Sequence, residues 1–424
     1  MTISTAAARS DAWTPARLKF AAPLRNERMS ASSDHADYLG LENIESWTGG
    51  IIEGESKSND TTDDAGLANV FKEGDVLFGK LRPYLAKACH APRDGVCSTE
   101  LLVMRPAESL HPRFLLYSLL TPDFVGAVDA STFGAKMPRA SWDFIGSLEI
   151  RVPPIEAQTI IANYLDRETA RIDGLIAEKE RMLALLEEKR AALISRVVTR
   201  GLDPNAPLKP SGLEWLGEIP AHWELWRLKH LGRVESGSGF PHEFQGNEDS
   251  ELLFLKVSDM NFPGNEYRIS ASNNTVSREV ARELSATVLP SGAVVYAKIG
   301  AALLLNKRRI LQREACIDNN MSAFVPSRVT SEWAHAWLSI LDFGEFVNPG
   351  AIPSFTEGQQ KDLPMAVPPV EEQQAITRSI EAATARTNTL TEEVARSIDL
   401  LRERRAALIT AAVTGQIPLE EMAG

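Results

Sequence analysis

Apolar residues recur at helix-face spacing along two long stretches, 152–199 and 367–414. In the first, Ile161, Leu165, Ile172, Leu175, Met182, Leu186, Leu193 and Val197 form a heptad-like stripe. In the second, Ile376, Ile380, Leu390, Val394, Leu401, Leu408 and Val413 do the same. Pro153-Pro154 exclude helix before them, Glu156 sets an acid against the positive helix end, and Gly201 with Pro204 forms a stop signal. Only Gly174 interrupts the run between. The pattern predicts a helix of about 45 residues, reaching about 65–70 Å. A stripe of that length must be covered, and the cheapest partner is the other copy. Antiparallel pairing of Ile161–Val197 with Ile376–Val413 is therefore expected.

The two stretches are copies of each other. At a constant offset of 215 they align from Val152/Val367 to Thr199/Thr414 without a gap, and 22 of the 48 positions are identical. Repetition extends upstream. Trp13-Thr-Pro-Ala-Arg17-Leu-Lys19 returns as Trp223-Glu-Leu-Trp-Arg227-Leu-Lys229. Asp75–Lys80 and Gly95–Met104 read as buried strands, with Gly292–Lys298 and Ala315–Val325 as counterparts. Short helical segments follow around His111–Leu120 and Ser331–Leu341. A Pro- and Gly-rich run, Asp203–Gly212, reads as a linker. The expected division is a mixed domain at 1–151, a long helix at 152–201, a linker at 202–212, a second mixed domain at 213–366, a second helix at 367–415 and a tail at 416–424. The fold class is α+β, with two α/β domains related by a pseudo-two-fold and separated by two long antiparallel coiled-coil helices. Such an object suits a pseudo-palindromic target, with two reading heads about one duplex turn, roughly 34 Å, apart.

Composition narrows the class. The 424 residues, 44% hydrophobic and 24% charged, resemble an ordinary globular protein with material for two or three domains. No run of about 18 apolar residues suggests a membrane span, and the start MTISTAAARSDAW lacks a signal-peptide core, so no membrane partner is expected. Cys89, Cys97 and Cys316 are too scattered for a disulfide framework or zinc site and read as packed thiols. A formal net charge of −12 argues against non-specific DNA binding by the whole chain. Local basic surface is still sufficient for phosphate, because the field falls off within about 8–10 Å. The charged runs Glu178–Arg181, Glu187–Arg190 and Arg402–Arg405 read first as solvated helix faces.

Three features together resemble one family, the specificity subunits of type I restriction-modification systems. They are the Val-Pro-Pro-x-Glu-x-Gln openings at Val152 and Val367, the Arg-Ala-Ala-Leu-Ile endings at Arg190 and Arg405, and the run PSGLEWLGEIPAHWELWRLK at Pro210–Lys229. The resemblance covers nearly the whole chain. It implies that each mixed domain is a target recognition domain reading one half of a bipartite motif in double-stranded DNA. The helices would set the gap. Two methyltransferase subunits would dock on the helices and flanking domains, and restriction subunits would join them in a bacterial or archaeal cytoplasm. This chain would carry no cofactor and no catalysis, with S-adenosylmethionine, ATP and Mg held by the partner subunits. No GxxxxGK[ST] loop, adenine-methyltransferase signature or zinc-ligand cluster is present in the sequence. One departure is the short lead, Met1–Asp11, before the first domain.

DNA contacts favour Arg, Lys, Asn, Gln, Ser and Thr on loops. In the first domain the candidates are Lys80, Arg82, Lys87, Lys136 and Arg139. In the second they are Lys298, the cluster Lys307, Arg308 and Arg309, then Arg313, with Asn319 and Asn320 opposite Ser98-Thr99-Glu100 in the repeat. Each has a bland alternative: surface Lys and Arg mostly solubilise, and Asn often caps a turn. Trp215 and Trp223 read as packing residues. Two other classes are a coiled-coil scaffold without a DNA role, which leaves the basic loops unexplained, and a self-contained enzyme, for which the two halves leave no catalytic domain.

Overall fold

The computed structural model describes residues 13–30, 38–52, 66–134, 136–347 and 352–423. The lead Met1–Asp11 lies outside them. Two compact units partition the chain: Met1–Met182 with Val394–Gly424, and Leu183–Glu393.

In the first unit, the repeated Trp-x-x-x-Arg-Leu-Lys segment is a domain closure. Thr14–Arg17 pairs antiparallel with Glu149–Val152, directly before the long helix, and buried Leu18 opens a single helical turn. The second unit repeats this with Glu224–Arg227 against Pro364–Val367 and buried Leu228. Even the next hydrogen bond matches, Leu18 to the Leu148 carbonyl and Leu228 to that of Leu363. These acceptors are again 215 residues apart.

Val76–Gly79 is central to a three-stranded sheet with Ala88–His90 and Leu101–Met104. Val76 and Phe78 pack under the helices Pro112–Leu119 and Pro122–Ala130, while Leu77 joins a second core with Phe71, Cys97 and Val103. Both faces are covered, so the strand is uniformly apolar. In the second unit Val294 and Tyr296 face one core and Val295 another. All three cysteines are buried free thiols, and burial pushes the Cys89 thiol up to about 12.

The single strands expected over Gly95–Met104 and Ala315–Val325 are each broken. Gly95–Cys97 belongs to a four-stranded sheet and Leu101–Met104 to the three-stranded one; between them Leu101 N–H donates to the Ser98 carbonyl at 3.0 Å. Asp318-Asn319-Asn320 makes the same break, with Met321 N–H on the Asp318 carbonyl at 3.0 Å. These polar triplets carry the chain from one sheet to the next. The expected linker is also built in. Leu208–Pro210 pairs with Glu218–Pro220, and buried Leu216 and Ile219 enter the core beside Trp223.

The long helices span Ile155–Arg200 and Val370–Val413. The first, 46 residues, is about 69 Å long at 1.5 Å per residue. Gly201, at φ +73°, takes the left-handed position that ends it. Within the first unit the helix segments run antiparallel: Ile161 and Leu165 share a core with Ile409, Ala412 and Val413, Asp173 pairs with Arg405, and Glu180 with Arg402. Within the second, Val197 and Val198 share a core with Ile376.

The buried seam departs from the sequence stripe in one respect. Less exposed positions follow 161, 165, 169, 172, 176, 179, 183, 186, 190, 193 and 197. Leu175 and Met182 lie one residue off this row and are exposed, as is Leu390 beside half-buried Thr391. Leu186, Leu193, Ile380, Leu401 and Leu408 are half-buried; Ile161, Leu165, Ile172, Ile376 and Val394 are buried. At two of these places the seam takes the adjacent apolar residue, Ile176 for Leu175 and Leu183 for Met182; elsewhere polar residues occupy seam slots. Arg405 is the clearest case. It is almost fully buried, holds Asp173 with two hydrogen bonds of 2.8 and 3.2 Å, and donates to the carbonyls of Trp47 and Thr48.

Candidate nucleic-acid interface

Each mixed domain is fixed to its long helix by one buried glutamine. Gln158 Oε1 accepts from His111 N–H at the start of Pro112–Leu119, while its amide donates to the Ser109 and Pro153 carbonyls. Gln373, 215 residues on, accepts from Thr330 N–H at the start of Ser331–Ser339 and donates to the Pro368 carbonyl. The glutamine of the Val-Pro-Pro-x-Glu-x-Gln motif thus ties helix to domain by satisfying buried backbone groups.

On the first domain, a polar rim forms where Val76–Gly79 ends. Lys80 N–H donates to the Glu100 carbonyl, the Lys80 carbonyl accepts from Ala140, and Arg82 N–H donates to the Pro138 carbonyl. Three segments, 79–82, 98–100 and 133–140, are thereby laced together. Arg82 sits at φ +50°, where the second copy has Gly300 at φ +73°. A left-handed arginine is uncommon and marks stored local strain. Arg82, Lys136 and the neighbouring Tyr84 are exposed, and Lys80 is half-buried. The second domain is laced in the same way: Lys298 N–H donates to the Asn320 carbonyl, Phe355 to that of Lys298, and Gly300 to that of Pro353.

Several candidates are otherwise engaged. Arg139 grips buried Glu100 through Nε and Nη2 at 3.0 to 3.2 Å, and this hydrogen bonding raises its pKa. Lys87 donates to the Leu41 carbonyl at 2.6 Å. The expected basic cluster in the second domain does not form a phosphate-facing group. Its residues lie on or beside the strand Arg308–Leu311, whose alternation turns Arg308 into the core, only 2% exposed. There its guanidinium lies 3.7 Å from the centre of the Phe343 ring and donates to the Asn306 and Leu341 carbonyls; burial lowers its pKa to about 9. Arg309 donates to the Arg308 and Met260 carbonyls, and burial lowers its pKa also. Lys307 bonds Asn261, and Arg313 the Glu251 carbonyl. Asn319 and Asn320 are exposed, with Asn320 held by Asp318. Lys298 is half-buried, and desolvation lowers its pKa. Trp223 is fully buried, donates to Glu372, and meets Trp333 edge to face at 5.5 Å.

Residues 13–182 match the family model described as the type I restriction modification DNA specificity domain. Over this stretch, less than half of its length, the chain is similar to type I restriction-modification specificity subunits. Among its relatives, the MjaVIII type I restriction enzyme specificity subunit of Methanocaldococcus jannaschii is 27% identical over 150 residues, 35% of this chain and 32% of that one. The EcoDI specificity subunit of Escherichia coli is 23% identical over 38% of this chain and 35% of its own length. The aligned parts thus span about a third of these two relatives. The EcoBI specificity subunit of Escherichia coli is 20% identical over 76% of this chain and 68% of its own. Two solved structures share the fold. One, from work on complex assembly and conformational transition of a type I R-M system, has a TM-score of 0.74 at 19% identity, covering 96% of this chain and 98% of that one. The other, the HsdS subunit from Thermoanaerobacter tengcongensis, has a TM-score of 0.52 at 18% identity, covering 96% and 97%. Among the described residues, no helix is long and apolar enough to cross a membrane.

Sequence reasoning named Glu100 only within a strand-end polar triplet, whereas it is buried and pairs with Arg139, and it missed the exposed apolar residues Phe133, Met137 and Ile352. The constant offset of 215 places Met137-Pro138 on Ile352-Pro353 and was a usable signal for the latter.

Proposed function

We propose that this chain is the sequence-reading subunit of a type I restriction-modification assembly. Each recognition domain reads one half of a bipartite motif in double-stranded DNA, and the long helices set the gap between the halves. Two methyltransferase subunits are directed to the site, joined by restriction subunits; S-adenosylmethionine, ATP and Mg belong to those partners, and this chain catalyses nothing. The observation that carries this reading is the recurrence of the same laced rim, Lys80 beside Glu100 and Lys298 beside Asn320, on two domains of divergent sequence. Each is tied to a long helix by an equivalent glutamine.

Within this rim, Lys80, Arg82, Lys136 and Lys298 contact phosphate or base edges, and Asn319 and Asn320 present polar groups at a strand end. The test is co-purification with a methyltransferase subunit and mapping of methylated adenines in cells with and without the gene. A bipartite methylated motif that vanishes with the gene is expected; its absence contradicts the reading.

A further inference from the structure

In the first recognition domain, the loop after Pro122–Ala130 leaves Phe133 63% exposed and Met137 37% exposed. Its described residues on either side are tied together. Phe133 and Arg139 exchange both backbone hydrogen bonds at 3.1 Å, Arg82 N–H holds the Pro138 carbonyl at 2.8 Å, and Arg139 is fastened to Glu100. In the second domain Ile352, at the position of Met137, is 68% exposed. Its neighbour Pro353 is held by Gly300 N–H at 2.8 Å, and Ser354 bridges Ile299. Leu304 and Leu305, close behind Gly300, are also exposed.

Scattered exposed apolar residues need no explanation. Here the same rim position is apolar and exposed in both halves, although these halves differ in most residues of the region, and in both it adjoins a cation-bearing strand end, Lys80 with Arg82 and Lys298. A protein partner favours an interface centre depleted of charge. A duplex offers the opposite, phosphates flanking base edges, and its one apolar projection in the major groove is the thymine C5 methyl. Reaching that methyl needs no unstacking, whereas inserting a side chain between base pairs does.

We infer that Phe133 and Met137 in the first recognition domain, and Ile352 in the second, read thymine methyl groups in their respective half-sites. The inference rests on the DNA-reading function above and specifies part of its chemistry. The backbone hydrogen bonds at Phe133, Pro138 and Pro353 lower the ordering cost of presenting these side chains.

The test uses the assembled methyltransferase complex and duplexes carrying its mapped motif, with each thymine on either strand replaced in turn by deoxyuridine. For the unaltered complex, one position in each half-site should weaken binding about three- to fivefold, the worth of one buried methyl. Phe133→Ala with Met137→Ala should abolish the deoxyuridine effect in one half only, and Ile352→Ala in the other. These exposed positions leave the fold intact, which circular dichroism checks. If base changes matter but no deoxyuridine does, DNA reading stands and this inference fails. Brightening of 2-aminopurine in the half-site that depends on Phe133 would mean insertion instead, and loss of the methyltransferase subunit from the variants would mean a protein contact; either overturns it. Failure to find any motif removes the parent reading as well.

Discussion

At the scale of single residues, the second domain holds an ionisable pair where a polar surface was expected. Arg308 and His335 sit together, with His335 Nε2 donating to the Arg308 carbonyl at 3.2 Å and its ring edge-on to Tyr267. Burial first, and then the nearby arginines 309, 308 and 268, lower the His335 pKa to about 4. A histidine held neutral in this way takes up its proton less readily folded than unfolded. The unfolded chain therefore binds more protons between its ordinary value of 6.5 and about 4, and stability falls as pH drops through that window. The loss approaches about 3 kcal/mol. Denaturation of the protein at pH 7 and pH 4.5 should show this slope, and His335→Gln should make it shallower. Equal slopes would mean that His335 is not the group responsible. The same burial changes what Arg308→Ala tests: it removes a core residue, so it lowers stability rather than the salt dependence of DNA binding.

At the scale of elements, the long helices were legible because their signals are local: proline pair, acidic first turn, terminal glycine and heptad apolar spacing all lie within the segment. The seam's exact row was less so, since Ile176 and Leu183 stand beside the equally apolar Leu175 and Met182, and Arg405, Arg190, Lys179 and Thr391 occupy slots that an apolar count passes over. Arg405 is acceptable there because Asp173 and two loop carbonyls receive its hydrogen bonds, a partnership set by residues far away in sequence. The strands over Val76–Gly79 and Val294–Ala297 were visible as apolar runs, while the breaks at Ser98–Glu100 and Asp318–Asn320 depend on which sheet each flank joins. The rim was half legible. Lys80, Arg82 and Lys136 could be named from charge, but the inward turn of Arg308 follows from strand phase and core packing. Gln158 shows what a motif residue does once the fold is known. Gln158→Ala leaves the His111 N–H and the Ser109 and Pro153 carbonyls without this partner, and should cost about 1–3 kcal/mol by urea denaturation. An unchanged midpoint would show that the tie is replaced.

At the scale of the whole molecule, the two units are built to one plan. Each holds one mixed domain and segments of both long helices, and each closes its domain with a strand pair at the helix start. The recurrence of equivalent backbone hydrogen bonds, down to Leu18–Leu148 and Leu228–Leu363, argues that the halves are copies of one structural unit. A shared plan with divergent sequence is the expectation if the two domains do one task on different half-sites. That claim has a direct measurement. Residues 213–366 are exchanged for the corresponding domain of another specificity subunit, and the methylated motif is mapped in cells carrying the methyltransferase subunit. One half of the motif should change while the other half stays as it was; a motif that is unchanged, or altered in both halves at once, would contradict independent reading by the two domains.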